Sequence, residues 1–161
     1  MATTYEVIGT NTFSSASSGI TFSSIPATYT DLRLVFTGRS DGYAAVRFNG
    51  SSSGYTHVGI YSDTGGNGVS QSYGIAGLTT FGLGTGEPVL ATFDIMGYAT
   101  SNHKVCITKL SADYNSAQKI AFRGIMAWRN TSVINSITFS SGDGAANLVS
   151  GTLTLYGIKA A

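Results

Sequence analysis

The chain has 161 residues, nine Lys+Arg against eight Asp+Glu and a formal net charge of +1, so no basic field gathers phosphate backbones and no acidic one holds cations. At 11% charged and 42% hydrophobic residues the composition excludes disorder, and the length suits one domain. The single cysteine, Cys106, excludes an internal disulfide.

The opening residues, Met1 to Glu6, carry no basic n-region, and the first apolar stretch is broken by Gly9, Thr10, Asn11 and Thr12. No signal peptide is expected there. Apolar runs are strand-sized throughout, so neither a membrane span nor a membrane partner is expected. The 21 glycines are spread over the whole sequence and leave little room for helix. In chain order the predicted strands are Tyr5 to Gly9, Gly19 to Phe22, Asp31 to Gly38, Ala44 to Phe48, Thr56 to Tyr61, Pro88 to Met96, His103 to Leu110, Lys119 to Trp128, Ile134 to Phe139 and Gly151 to Lys159. Ser111 to Ala117 is the one stretch that could form a short helix or helical turn.

Two regions read as too glycine-rich for strands: Ser62 to Gly68, continuing to Gly77, and Gly82 to Gly86, with a short pairing near Thr79 to Phe81 between them. The segment from Ser62 to Glu87 has no charge besides those of Asp63 and Glu87. It reads equally as a contact loop and as a plain surface loop. The expected fold class is therefore all-β, an antiparallel β-sandwich, jelly-roll-like, of about ten short strands. Residues 1–22 are expected to form an N-terminal arm with the first strands, and residues 23–161 a single sandwich domain with the Gly-rich contact loop at 62–87. Pleat alternation predicts Phe36, Leu34, Phe93, Ile95, Ile107, Phe122, Trp128 and Leu155 in the core. Three positions carry backbone signals: Pro26 predicts an extended entry into the strand at Asp31, Asn49-Gly50 a tight turn, and Gly157 a bulge or a close backbone approach.

Catalytic and metal chemistry finds little footing. His57 and His103 lie in no Gly-x-Ser-x-Gly or metal-ligand spacing, and Cys106, three residues after His103, falls on the opposite pleat face. The eight acidic residues stand far apart, and Gly82 to Pro88 lacks the Gly-Lys-Ser/Thr ending of a phosphate loop. No enzyme activity, cofactor or metal is expected. Tyr55, Tyr61 and Tyr73 could form a sugar-stacking platform, although tyrosines at sheet faces and subunit interfaces are commoner. The interface candidates are Tyr5, Val7, Ile8 and Phe13 in the arm, and Tyr61, Tyr73, Leu78, Phe81 and Leu83 in the Gly-rich region.

Several segments together carry a resemblance. They are Thr4-Tyr5-Glu6-Val7-Ile8, then the stretch from Ile20 to Val35 with Phe22-Ser23-Ser24-Ile25-Pro26-Ala27-Thr28-Tyr29-Thr30-Asp31-Leu32 at its centre, Val46-Arg47-Phe48-Asn49-Gly50, Ile137-Thr138-Phe139, and the ending Gly151-Thr152-Leu153-Thr154-Leu155-Tyr156-Gly157-Ile158-Lys159. In this order they resemble small virion structural proteins of tailed bacteriophages. The resemblance implies a particle component without catalysis, located in the virion and assembled in the host bacterial cytoplasm. A capsid decoration (cement) protein that bridges capsomers on the outer surface of the head is the first expectation. Its partners would be the major capsid protein or other virion components and further copies of itself, as a dimer or trimer, with no nucleic acid. The alternatives are a tail or baseplate appendage with a carbohydrate-binding face and, less favoured, a small β-sandwich hydrolase.

Overall fold

The computed structural model describes residues 4–40, 44–63, 65–75, 78–79, 88–115, 118–141 and 148–159. The described chain forms twelve strands: β1 (Tyr5–Phe13), β2 (Gly19–Phe22), β3 (Asp31–Ser40), β4 (Ala44–Phe48), β5 (Tyr55–Asp63), β6 (Gly66–Ile75), β7 (Leu78–Thr79), β8 (Pro88–Met96), β9 (Lys104–Asn115), β10 (Gln118–Trp128), β11 (Ile137–Ser141) and β12 (Leu148–Ile158). They build an eight-stranded sheet in the order β1-β12-β3-β8-β9-β10-β5-β6 and a four-stranded sheet in the order β2-β11-β4-β7. Every pairing is antiparallel. The all-β expectation holds, whereas jelly-roll winding does not follow from these sheet orders.

The core lies between the two sheets. Leu32, Leu34 and Phe36 from β3, Phe93 and Ile95 from β8 and Leu153 and Leu155 from β12 are fully buried, as are Val46, Phe48, Ile137 and Phe139 from the smaller sheet. Phe139 bridges the layers, its ring 4.9 Å from that of Phe36 and 6.3 Å from that of Phe93. At one end, Trp128 stacks on Tyr55 at 6.0 Å and meets Phe48 edge-on at 5.6 Å. Burying large rings on alternate residues of facing strands is the main source of hydrophobic stabilisation here. Seven of the eight predicted core residues are buried. Ile107 is the exception, half-exposed on the outer face of the large sheet, because β9 turns Cys106, Thr108 and Leu110 inward. With apolar residues on both sides of that pleat, alternation alone did not give its sense.

Two sequence expectations are corrected. The stretch from Gly66 to Ile75, expected as part of a loop, is strand β6, which pairs with β5 from Asp63↔Gly66 to Tyr55↔Ile75. The turn is set by Asp63, whose Oδ1 accepts a hydrogen bond from the Gly65 amide at 2.8 Å. A Cβ at Gly68 would sit 2.5 Å from the Tyr61 ring, so the tyrosine covers the glycine and supplies the packing that it lacks. Likewise β9 continues as strand to Asn115, against the possible helical turn from Ser111, because its backbone pairs with β10 as far as Asn115↔Gln118. Tertiary pairing overrides weak local preference.

The backbone signals resolve individually. Asn49 and Gly50 both have positive φ, 52° and 66°, and the Ser51 amide donates to Phe48 O at 2.9 Å, a type I′ turn. It does not close a hairpin: β4 and β5 belong to different sheets, and the turn carries the chain between layers. The Asn49 side chain fixes the crossing by accepting from the Asn135 and Ser136 amides and donating to Val133 O. The entry to β3 is a buried anchor followed by a bend rather than a simple extended segment. Ile25 is buried and its amide donates to Asn135 O at 3.0 Å, and residues 27–30 turn.

Candidate functional site

With its inner face packed in the core, the eight-stranded sheet turns its other face to solvent. Alternation places on that outer face Thr56, Val58 and Ile60 of β5, Val69 and Gln71 of β6, Arg123, Ile125 and Ala127 of β10, Val105, Ile107 and Lys109 of β9, and Leu90, Thr92, Asp94 and Met96 of β8. Val58, Ile60, Val69, Leu90, Met96, Val105 and Ile125 are between 40% and 67% exposed. Single exposed aliphatics are ordinary, but a contiguous set on one face marks a surface that meets something. The pairings make it contiguous: Val58 lies opposite Ile125, Ile125 opposite Ile107, Ile60 opposite Val69, and Met96 opposite Val105.

A groove of about 930 Å³ runs over this face, lined among others by Arg33, Ile60, Val69, Leu90, Lys109 and Arg123. Lys109 and Arg123 are directly opposed cross-strand neighbours, and both are exposed. Arg33 is neutralised by an ion pair with Asp94, and its guanidinium lies 5.3 Å from the centre of the Tyr5 ring. The hydrogen bond to Asp94 holds that guanidinium above its usual pKa. Tyr5 in turn meets Tyr156 edge-on at 6.3 Å.

The predicted interface residues are dispersed. Tyr5 and Val7 are exposed on β1, at the sheet edge away from the groove's β6 wall. Ile8 and Phe13 pack half-buried on the core, Phe13 stacking on Phe36, because β1 pairs with β12 of its own chain over its full length. Tyr61 is half-buried over Gly68. Tyr73 lies in β6 and Leu78 in β7, their side chains outside the described residues, as are Phe81 and Leu83 entirely. Of the sugar-platform tyrosines, Tyr55 is fully buried and donates to backbone carbonyls, which withdraws it from any ligand. Neither the exposed aliphatics nor the opposed cations are among the interface candidates that the sequence offers. One signal was present: the stretch from Phe122 to Trp128 is apolar on both faces apart from Arg123 and Gly124, which suits the middle of a sheet or a surface under a partner subunit.

Most of the polar groups singled out in the sequence are buried or held by structural partners. Burial pushes the Cys106 thiol up to about 12. His57 is buried, its Nε2 3.0 Å from Ser70 Oγ and its Nδ1 without a partner among the described residues, and burial holds the imidazole below its usual pKa. His103 is exposed. Glu6 accepts from Lys159 at 2.7 Å and Asp31 from the Gly97 amide at 2.7 Å. Lys104, buried, donates to Thr100 O and Asn102 O, fixing the loop before β9. Among the described residues no three His, Cys, Asp or Glu side chains come together to hold a metal ion, and no helix is long and apolar enough to cross a membrane.

Comparison with protein-family models, with curated proteins and with solved structures finds no match to this chain.

Proposed function

We propose that this protein is a virion structural component of a tailed bacteriophage, a decoration protein that binds the outer surface of the head and bridges capsomers. The observation that carries the reading is the aliphatic outer face of the large sheet, which leaves seven large side chains in water unless a partner covers them. A low-charge protein with such a face suits close packing in many copies on a particle. The sequence resemblance, which spans nearly the whole chain, supplies the phage context. A binding face of this kind also favours an interaction role over hydrolysis, since the acidic side chains Glu6, Asp31, Asp63 and Asp94 are each tied to a structural partner.

The second reading, a tail or baseplate module with a carbohydrate-binding face, draws on the groove. Against it, the one large aromatic among the exposed hydrophobics of the described residues is Tyr5, placed at the far edge of the sheet, whereas sugar rings stack best on aromatic faces. Quantitative mass spectrometry of purified particles, with cryo-electron microscopy to locate the chain, tests both. Hundreds of copies on the head are expected, a handful on the tail would transfer the assignment to the second reading, and absence from particles would refute both.

A further inference from the structure

We infer that the groove on the outer face of the eight-stranded sheet is a docking site for an acidic, extended segment of a partner protein, one in which carboxylates alternate with or are flanked by apolar side chains. The inference rests on the reading of the protein as an assembly component and names the partner chemistry of that same face.

The first observation is the opposed pair Lys109 and Arg123. Like charges directly across a sheet are destabilising, and among the described residues neither side chain has an acidic partner. Arg33, the third cation of the groove, is already matched by Asp94, so among the described residues two positive charges remain unbalanced. A carboxylate placed between them would remove the repulsion and gain charge-assisted hydrogen bonds, with the guanidinium able to bind it bidentately. The second observation is what surrounds the pair. Ile60 lies opposite Arg123 on β5, with Val69 beyond it on β6, while Leu90 lines the groove on β8. All three aliphatics are about half exposed or more. The ligand must therefore bury apolar groups on both sides of its charge.

These features select among occupants. A second copy docked through a two-fold axis over the groove would set Lys109 and Arg123 against themselves. Nucleic acid would meet aliphatic flanks and little net charge. A glycan would find no exposed aromatic side chain among those that the described residues contribute to the groove. An acidic polypeptide segment satisfies both the cations and the aliphatics, and about 930 Å³ is at the upper end of the range for well-formed ligand sites.

The test uses the full chain, isotopically labelled, titrated with a hexapeptide of alternating Val and Glu, the same peptide with Gln for Glu, and the same with Lys for Glu. Expected are saturable amide shifts on the groove strands β5, β6, β8, β9 and β10 with the Glu peptide, weakened by salt and at least tenfold weaker for the Lys109→Gln/Arg123→Gln double variant. Both substituted side chains are exposed, and the emission of buried Trp128 checks that the variant is folded. The inference is overturned by equal binding of the Gln peptide, by shifts confined to other faces, by no saturation at millimolar Glu peptide, by preferential binding of an oligogalacturonate, or by dimerisation of the chain through this face. The two readings fail separately. A chain found on particles whose groove ignores the Glu peptide keeps its virion role and loses this site, whereas a chain that binds the peptide and is absent from particles keeps the site and loses the virion role.

Discussion

Replacing Gly157 by alanine perturbs a contact that joins the two most distinctive stretches of the sequence. Gly157 is a buried β12 residue opposite Leu32, and a Cβ there would stand 2.4 Å from carbons of the Tyr29 ring. Carbon atoms in good contact lie about 3.5–4.0 Å apart, so the ring must withdraw by at least about 1 Å. It is not free to do so. The Tyr29 amide donates to Tyr98 Oη at 3.2 Å, its hydroxyl donates to Glu6 Oε2 at 3.2 Å, and Lys159 Nζ lies 5.5 Å from the ring centre. Overpacking at such a site costs about 1–3 kcal/mol. Without the ring the same substitution should help, because alanine is favoured over glycine in a strand by about 0.5–1 kcal/mol. A double-mutant cycle with Tyr29→Ala, followed by urea unfolding on Trp128 emission, should therefore give a coupling energy of about 1.5–4 kcal/mol, Gly157→Ala being destabilising in the parent and neutral or stabilising beside Tyr29→Ala. For a chain of this size the parent-background cost corresponds to a fall in Tm of about 2–12 °C. A coupling below about 0.5 kcal/mol, with Gly157→Ala equally costly in both backgrounds, would refute the close approach as the reason for glycine.

Two further outcomes are expected. Burial lowers the pKa of His57 below its ordinary value of 6.5, so the unfolded chain binds more protons in that window and stability, full above 6.5, is lost as pH falls toward the folded value; the urea midpoint should drop on acidification from about pH 7.5 to about pH 5, and an unchanged slope in His57→Gln would refute this assignment. Cys106, 1% exposed with its thiol pushed up to about 12, should react with a disulfide reagent only as fast as the chain unfolds, and labelling of the native protein at the rate of a free thiol would contradict its placement.

The close contact of Tyr29 with Gly157 also ties together two stretches that lie far apart in the sequence. The Thr30 amide donates to Ile158 O at 2.8 Å, Tyr98 donates to Pro26 O, and β3 pairs with β12 from its first residue, Asp31. The stretch around Pro26 and Tyr29 and the C-terminal ending thus form one structural unit, so the fold constrains the residues of both.

By itself the sequence determined the all-β class, most strand positions and nearly all the core residues tested, because alternation over a one-sided sheet is written locally, residue by residue. It also marked Asn49-Gly50 and Gly157, where only particular backbone geometry or space tolerates the residue present. What it left open depends on neighbours distant in the chain. Strand β6 exists because β5 offers a partner edge and Tyr61 covers Gly68, and no local pattern in a glycine-rich segment encodes that. Ile107 could face either way until pairing with β8 and β10 fixed the pleat of β9. The groove is the extreme case: Lys109 and Arg123 are far from Ile60, Val69 and Leu90 in sequence, and only the order β8-β9-β10-β5-β6 brings these cations and aliphatics onto one face, since each residue's outward direction is local but its lateral neighbours are set by which strands pair.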